Sequence, residues 1–218
     1  MSITGYTSGS IGVLTMTPRK IMWDVEPYTL DLSDVVKLSD GDLLAISAAN
    51  PDLRIERSAT GQLEIMSPSG STSSACEAAL VTALYTWNEQ HRDGIVFTSS
   101  GGFHLPNGAV RAADAAWVRR GDWDALTPDQ REGFAPVVPE FLVEVRSPSD
   151  RLPALRTKMH EWIANGCRLA WLIDPINRSA AIYRADGTVT EASFDETLNG
   201  EDVLPGFVFD PASLPAYR

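Results

Sequence analysis

Two consecutive stretches, VPEFLVEVRSPSD (138–150) and LRTKMHEWIANGCRLAWLIDP (155–175), decide the fold. Residues 138–146 are apolar on both faces of an extended chain, which is typical of a central strand. Residues 151–165 then carry a helical period that ends at an Asn-Gly pair, a common helix stop. A second apolar strand follows directly. This strand–helix–strand order predicts an α/β fold with a mixed sheet.

The chain around these stretches alternates short strands and helices. We expect a helix over 39–48, a hairpin of strands 53–57 and 62–66, a loop at 67–74, a helix over 75–91, strands near 95–105 and 110–118, an irregular segment at 121–135, and strands at 168–174 and 179–184. Residues 1–38 are predicted to form an N-terminal arm and the segment that leads into one domain at 39–218.

Composition limits the function classes. The 218 residues are 44% hydrophobic and carry a formal net charge of −11, so the chain is globular and its overall field repels nucleic acid and anionic membranes. No apolar run approaches the roughly 20 residues that a membrane helix needs. The polar N-terminus lacks the pattern of a signal peptide. The common nucleotide, zinc-protease and serine-hydrolase signatures are absent.

The cysteines and histidines point away from zinc and disulfides. Cys76 and Cys167 lie in apolar segments, and we interpret them as buried thiols of a cytoplasmic protein. The three histidines are scattered and give no ligand spacing with the cysteines.

Two acids interrupt the apolar faces of predicted strands. Alternate strand residues share a face, so Asp114 falls with Val110 and Val118, and Glu144 falls with Leu142. A lone carboxylate on a buried face costs several kcal/mol unless it is paired, hydrogen-bonded or metal-bound. Each acid is therefore a buried salt-bridge partner, a protonated acid or a metal ligand.

Two helical residues point toward the same sheet. Lys158 borders the apolar stripe of Leu155 and Trp162, either as a lysine that extends its amine into water or as a site residue. Glu77 lies by spacing on the inner face of its helix, but it also fits a capping box with Ser74. Both interpretations stay open for each residue.

Together the four residues indicate metal chemistry. Carboxylate oxygens are hard ligands that suit Mg²⁺ or Mn²⁺. A lysine beside such a site can hold or deprotonate a water and stabilise a negatively charged transition state. The constellation of Asp114, Glu144, Lys158 and Glu77 predicts metal-assisted hydrolysis, most plausibly of a phosphodiester.

The order of these residues resembles the PD-(D/E)XK nuclease superfamily, and more closely the Uma-type restriction-endonuclease-like family of bacteria. The stretches that carry the resemblance are GQLEIMSPSGS, VFTSSGGFHLPNGAVRAADAAWV, the two quoted above, IYR and VLPGF. The resemblance implies a restriction-endonuclease-like α/β core of order αβββαβ, a mixed sheet flanked by helices, with an extra N-terminal hairpin and C-terminal strands. It also implies a DNA substrate and a homodimer.

The resemblance implies roles for individual residues. Asp114 and Glu144 match metal ligands, and the backbone carbonyl of Val145 matches a third. Lys158 matches a helix-borne catalytic lysine, and Glu77 matches an acid of the first core helix that binds metal or orients water.

Three positions depart from the superfamily pattern. Ala113 replaces the usual proline before the aspartate, and Glu140 stands where aspartate is common. Arg146 stands at the usual lysine position, where it could hold phosphate but is a poor base. We expect Arg146, Arg151 or Arg156 to hold the substrate phosphate.

These residues lie in a locally basic strip. Segments 111–120 and 144–158 together carry a net charge of +4, whereas the rest of the chain carries −15. Trp117 or Trp123 could stack on a base beside this strip.

The leading hypothesis is a Mg²⁺-dependent endonuclease acting on DNA, in which the metal activates a water that Lys158 positions or deprotonates. The alternative is a non-catalytic DNA- or protein-binding module that keeps the fold. A glycosidase with a carboxylate pair is disfavoured by the lysine and by the metal-like clustering.

Overall fold

The computed structural model describes residues 28–32, 35–66 and 69–217, so the predicted N-terminal arm lies almost entirely outside them. The helices are α1 (Asp40–Ala49), α2 (Ser71–His91), α3 (Arg120–Asp124), α4 (Pro128–Glu132) and α5 (Leu152–Ala164), with a 3₁₀ turn at Pro211–Ser213. The strands are β1 (Tyr28–Leu30), β2 (Arg54–Arg57), β3 (Leu63–Met66), β4 (Gly94–Thr98), β5 (Phe103–His104), β6 (Val110–Arg111), β7 (Ala115–Arg119), β8 (Phe141–Val145), β9 (Leu169–Asp174), β10 (Ser179–Arg184), β11 (Val189–Ser193), β12 (Leu198–Asn199) and β13 (Val208–Phe209).

A six-stranded mixed sheet runs in the order β11-β10-β9-β8-β7-β4. Strands β8 and β9 are parallel, and α5 supplies the crossover that a parallel pair requires. The other neighbours are antiparallel. Every residue of β8 is buried, which confirms the predicted central strand.

The two faces of this sheet carry different helices. Phe141, Val143 and Val145 pack on the side of α2, together with the C-terminal segment around Phe207. Leu142 packs on the opposite side with α5. The predicted alternation along this strand is therefore confirmed.

A second sheet, β1-β3-β2-β6-β5, is formed largely by the predicted hairpin and lies beside α1. Ser39, the first residue of the predicted helix, is the N-cap of α1: its side chain accepts from the Asp42 N–H, and the Asp42 carboxylate accepts from the Ser39 N–H. Leu43, Ile55 and Leu63 form the small core of this region.

The predicted strands 95–105 and 110–118 were each too long. Each is split between the two sheets, because β4 and β7 pair in the six-stranded sheet while β5 and β6 pair in the other. Val110 accordingly packs near α1 rather than with Val118, so its predicted face is wrong. The crossing leaves residues 112–114 between strands, which positions the site described below.

The predicted capping box at Ser74 is also wrong. The helix begins at Ser71 with Gly70 as its N-cap, so the predicted loop was too long. The Ser74 N–H donates to the Gly70 carbonyl inside the first turn. Glu77 is therefore free of a capping role.

Two further findings concern membrane-spanning helices and the two cysteines. Among the described residues, no helix has the length and apolarity needed to cross a membrane. Both cysteines are buried and free. Burial raises the pKa of the Cys76 thiol and raises the pKa of Cys167 to about 12.

Candidate active site

Asp114 lies where the chain passes from the second sheet into the six-stranded sheet. Its side chain is buried. Its Oδ2 accepts the backbone N–H of Val145 at 2.7 Å, and its Oδ1 pairs with Arg54 Nη1 at 3.1 Å. The N–H of β8 thus fixes the carboxylate at the end of the central strand.

Glu144 is buried on the α5 face of β8. Its Oε1 accepts the indole N–H of Trp162 at 3.1 Å and forms an ion pair with Lys158 Nζ at 2.9 Å. Burial raises the pKa of Glu144, and the negative charge of Asp114 raises it further against the opposing effect of Lys158. The charges of Asp114 and Glu144 therefore repel each other at this site.

Lys158 extends from α5 into this buried region. Its side chain is only 14% exposed, so the interpretation as a lysine with its amine in water is wrong. The ammonium donates to the Ala112 carbonyl at 3.1 Å and to Glu56 Oε1 at 3.2 Å. Burial lowers its pKa, but Glu144 and Glu56 outweigh burial, so the pKa of Lys158 is raised and the amine stays charged.

Glu77 reaches the same end of the sheet from α2. It accepts from Ser69 at 3.1 Å and from Ser99 at 3.2 Å. Thr98 pairs with Ala115 in the antiparallel strands β4 and β7. Ser99, the residue after Thr98, therefore lies next to Asp114, the residue before Ala115. Burial raises the pKa of Glu77, and the charge of Asp114 adds to the increase.

The sequence interpretation missed two residues, Arg54 and Glu56, which β2 inserts into the cluster. Arg54 donates to Glu56 Oε1 at 3.0 Å, to Asp114, and in a short contact to the Ala112 carbonyl. Burial opposes ionisation of Glu56, but Lys158 and Arg54 outweigh it and lower its pKa to about 2. The only signal in the sequence was the alternation of Arg-Ile-Glu-Arg, which places both residues on one strand face.

Arg111 closes the cluster on the side of the second sheet. Its guanidinium binds Glu56 at 3.2 Å, Glu64 at 2.6 Å and Glu161 at 2.7 Å. Burial lowers the pKa of Arg111, but the three acids outweigh burial and raise the pKa above its ordinary value.

Two of the three predicted phosphate-binding arginines form ion pairs with acids outside this cluster. Arg146 pairs with Asp174 at 2.8 Å, and Arg156 pairs with Glu191 at 3.1 Å. Arg151 is the N-cap residue of α5. Phosphate binding by Arg146 or Arg151 stays a prediction. Arg156 is half exposed and leaves α5 about 200° away from Lys158, which disfavours this role for Arg156.

The remaining peripheral candidates have structural partners. Glu140 pairs with Arg119. Trp117 is buried and its indole N–H donates to Asn88 at 2.9 Å, so the interpretation as a base-stacking residue is wrong for Trp117. Trp123 packs edge-on against Phe97, and its base-stacking role stays a prediction.

The donor set fits a hard divalent cation of modest protein coordination. Within the described ranges, no group of three His, Cys, Asp or Glu side chains is arranged to hold a metal by itself. Mg²⁺, however, is commonly bound through one or two carboxylates, with water and substrate phosphate completing its shell. The Trp162 indole N–H and the Lys158 ammonium both contact Oε1 of Glu144, so neither of these contacts uses Oε2. The two acids with the Val145 carbonyl thus suit such an ion.

The chain is similar to known nuclease-like proteins. The Uma2 family, described as "Putative restriction endonuclease", matches residues 40–213. A crystal structure described as a putative nuclease belonging to DUF820 from Anabaena variabilis is 15% identical, with a TM-score of 0.66, and the match covers 81% of this chain and 97% of that one. At this identity the likeness shows the mixed α/β fold alone. No protein with a curated description matches the sequence.

Proposed function

We propose that this chain, which belongs to the Uma2 family of putative restriction endonucleases, is a metal-dependent endonuclease that hydrolyses DNA phosphodiester bonds. We further propose that α2, β4, β7, β8, α5 and β9 form a restriction-endonuclease-like core. They run along the chain in the order αβββαβ, with β5 and β6 inserted after β4 and with α3 and α4 inserted after β7. The four strands are neighbours in the six-stranded sheet. The homodimer that the resemblance implies stays a prediction.

One observation carries this proposal: the ammonium of Lys158 lies 2.9 Å from Glu144 in a buried region that also holds Asp114. The three residues come from three different elements: Lys158 from helix α5, Glu144 from strand β8 and Asp114 from the segment before β7. Placing two acids and a lysine together away from water costs desolvation energy. Perturbed ionisable groups gathered in this way are typical of functional sites.

The proposed roles follow from the contacts. Asp114, Glu144 and the Val145 carbonyl would hold Mg²⁺ or Mn²⁺, which when bound lowers the pKa of water and neutralises phosphate charge. Lys158 stays protonated, so we assign it stabilisation of negative charge on the phosphodiester rather than proton abstraction. Glu77 reaches the same end of the sheet and contacts Ser69 and Ser99, and we assign to it the orientation of the attacking water.

A second candidate function is supported by the same cluster. Arg54 pairs with Asp114 and Lys158 pairs with Glu144, so the cluster already contains cations that neutralise both acids. Such a self-neutralised site suits a DNA- or protein-binding module without catalysis.

Incubation of the protein with supercoiled and linear DNA tests both candidates. We expect cleavage with Mg²⁺ or Mn²⁺, none with a chelator, and loss of cleavage in Asp114→Ala and Lys158→Ala. Arg156→Ala, on the same helix as Lys158, is the matched control and should cleave normally. DNA binding without cleavage would support the binding module. Absence of both DNA binding and cleavage would overturn the nuclease and the DNA-binding module together.

A further inference from the structure

We propose that Glu56 is a positioning residue of this site, which holds the ammonium of Lys158 in place and makes the second sheet part of the catalytic centre. The inference rests on the proposed function, in which Lys158 stabilises charge on the phosphodiester. The groups that Glu56 binds are donors, Lys158 among them, and not the proposed metal-binding carboxylates, so it acts through the lysine.

The burial of Glu56 requires a reason. The residue is 2% exposed on β2, and an unpaired carboxylate there costs several kcal/mol. Three cations compensate it: Lys158, Arg54 and Arg111. The backbone N–H of Ala112 also donates to Glu56 Oε1, at 3.3 Å. A glutamate with four donors is fixed in both position and charge.

The contacts of Lys158 show what this fixed glutamate does. An ammonium has three donors. Its hydrogen bonds go to Glu56 Oε1 and to the Ala112 carbonyl, whereas Glu144 is an ion-pair partner at 2.9 Å. Glu56 is therefore one of two buried carboxylates that hold this ammonium, and it is the one outside the proposed metal ligands. Without Glu56, Glu144 would be the one carboxylate paired with this ammonium, and the lysine would compete with a cation for it.

The chain offers a close control for Glu56. Glu64 lies directly opposite Glu56 in the register of β2 and β3. Both acids bind Arg111 Nη1, at 3.2 Å and 2.6 Å respectively. Lys158 forms ion pairs with Glu56 and Glu144, whereas Glu64 pairs with Arg111. Neutralising Glu64 thus perturbs the same network without releasing the lysine.

Steady-state cleavage kinetics separate positioning from a general structural role. For Glu56→Gln we expect kcat to fall by about 10–100-fold, as is usual when a residue supporting a metal site is replaced, with KM within about threefold. For Glu64→Gln both parameters should stay within about threefold of wild type. An equal loss of kcat in the two variants, or an effect of Glu56→Gln on KM alone, would overturn the proposal.

A spectroscopic measurement tests the positioning without cleavage. The sequence has only three lysines, Lys20, Lys37 and Lys158, so the ¹⁵Nζ spectrum is simple. We expect an exchange-protected ammonium signal that Lys158→Arg removes, that Glu64→Gln retains and that Glu56→Gln loses. Retention of this signal in Glu56→Gln would contradict the proposal.

The two measurements keep the hypotheses apart. If the wild type does not cleave DNA but the signal depends on Glu56, the nuclease function fails while the positioning of Lys158 holds. If the wild type cleaves and the signal is independent of Glu56, only the positioning role fails. Should Glu56→Gln not fold, Glu56→Asp, which keeps the charge but shortens its reach, carries both measurements, with the same loss of kcat and signal expected.

Discussion

Lys158 and Arg156 lie two residues apart on α5, and both pair with glutamates, but in opposite environments. The Lys158 side chain is 14% exposed and its glutamate partners are at most 4% exposed. Arg156 is 50% exposed and its partner Glu191 is 59% exposed. Two residues correspond to about 200° around a helix, so the side chains leave opposite faces.

The difference between the two environments determines how much each ion pair contributes to, or costs, the stability of the fold. An exposed ion pair contributes about 0–1 kcal/mol, because water and salt screen it. For a buried pair, the energy cost of desolvating both charges is often larger than their mutual attraction. Removing only one partner is nevertheless strongly destabilising, because it leaves an uncompensated buried charge. We hypothesise that the cluster around Lys158 is kept for chemistry, whereas the Arg156 pair is ordinary surface.

The largest difference between the two regions is expected in stability. Glu56→Ala removes the buried carboxylate that Arg54, Lys158 and Arg111 share, and among the described residues it leaves Arg54 with only Asp114 and Lys158 with only Glu144 as ion-pair partners. We expect this substitution to lower the free energy of unfolding by about 3–5 kcal/mol. Glu191→Ala should lower it by less than about 1 kcal/mol. Urea denaturation of both variants measures this difference. Similar losses would remove the contrast between the two regions.

The next difference concerns activity. Lys158→Met keeps the length of the side chain but removes its charge, so DNA cleavage should fall by about 10²–10³-fold. Arg156→Met, on the exposed face, should cleave within about threefold of wild type. Single-turnover rates at saturating Mg²⁺ provide the comparison. A normal rate for Lys158→Met would show that the buried lysine has no catalytic role.

The response to acid sharpens the same contrast. The pKa of Glu56 falls from its ordinary value of 4.5 to about 2 in the folded chain. The stability that ionised Glu56 contributes is therefore present above about pH 4.5 and is lost as the pH falls toward 2. Between pH 5 and pH 3, the free energy of unfolding should decrease more steeply in the wild type than in Glu56→Gln. Parallel curves would refute this assignment.

The smallest effect is predicted for the surface pair itself. A double-mutant cycle of Arg156→Ala and Glu191→Ala should give a coupling energy of about 0.2–1 kcal/mol that decreases at high salt. A coupling above about 2 kcal/mol would mean that this exposed pair is not ordinary surface.

Local pattern was sufficient for the residues that break an apolar face. Glu144 was located because β8 is apolar on both sides, and Lys158 because it borders the stripe of α5. The location of Asp114 was predicted from a continuous strand that the structure divides, so the residue was identified by a partly wrong argument.

Long-range packing accounts for what the sequence did not reveal. Arg54 and Glu56 belong to a short hairpin strand that looks solvent-facing, and Glu56 meets Lys158 across 102 positions of sequence. The split of 110–118 has the same cause, because the pairing partners of β6 and β7 lie in different sheets. Neither fact is encoded in a local hydrophobic period.

The most direct test compares two buried aspartates that both pair with arginine, Asp114 with Arg54 and Asp174 with Arg146. Only the first lies in the proposed site, so the Mg²⁺-dependent cleavage rate should fall by about 10²–10³-fold or more in Asp114→Asn and stay within about threefold in Asp174→Asn. Equal rates in the two folded variants, or no cleavage by the wild type, would contradict the assignment of this cluster as a nuclease centre.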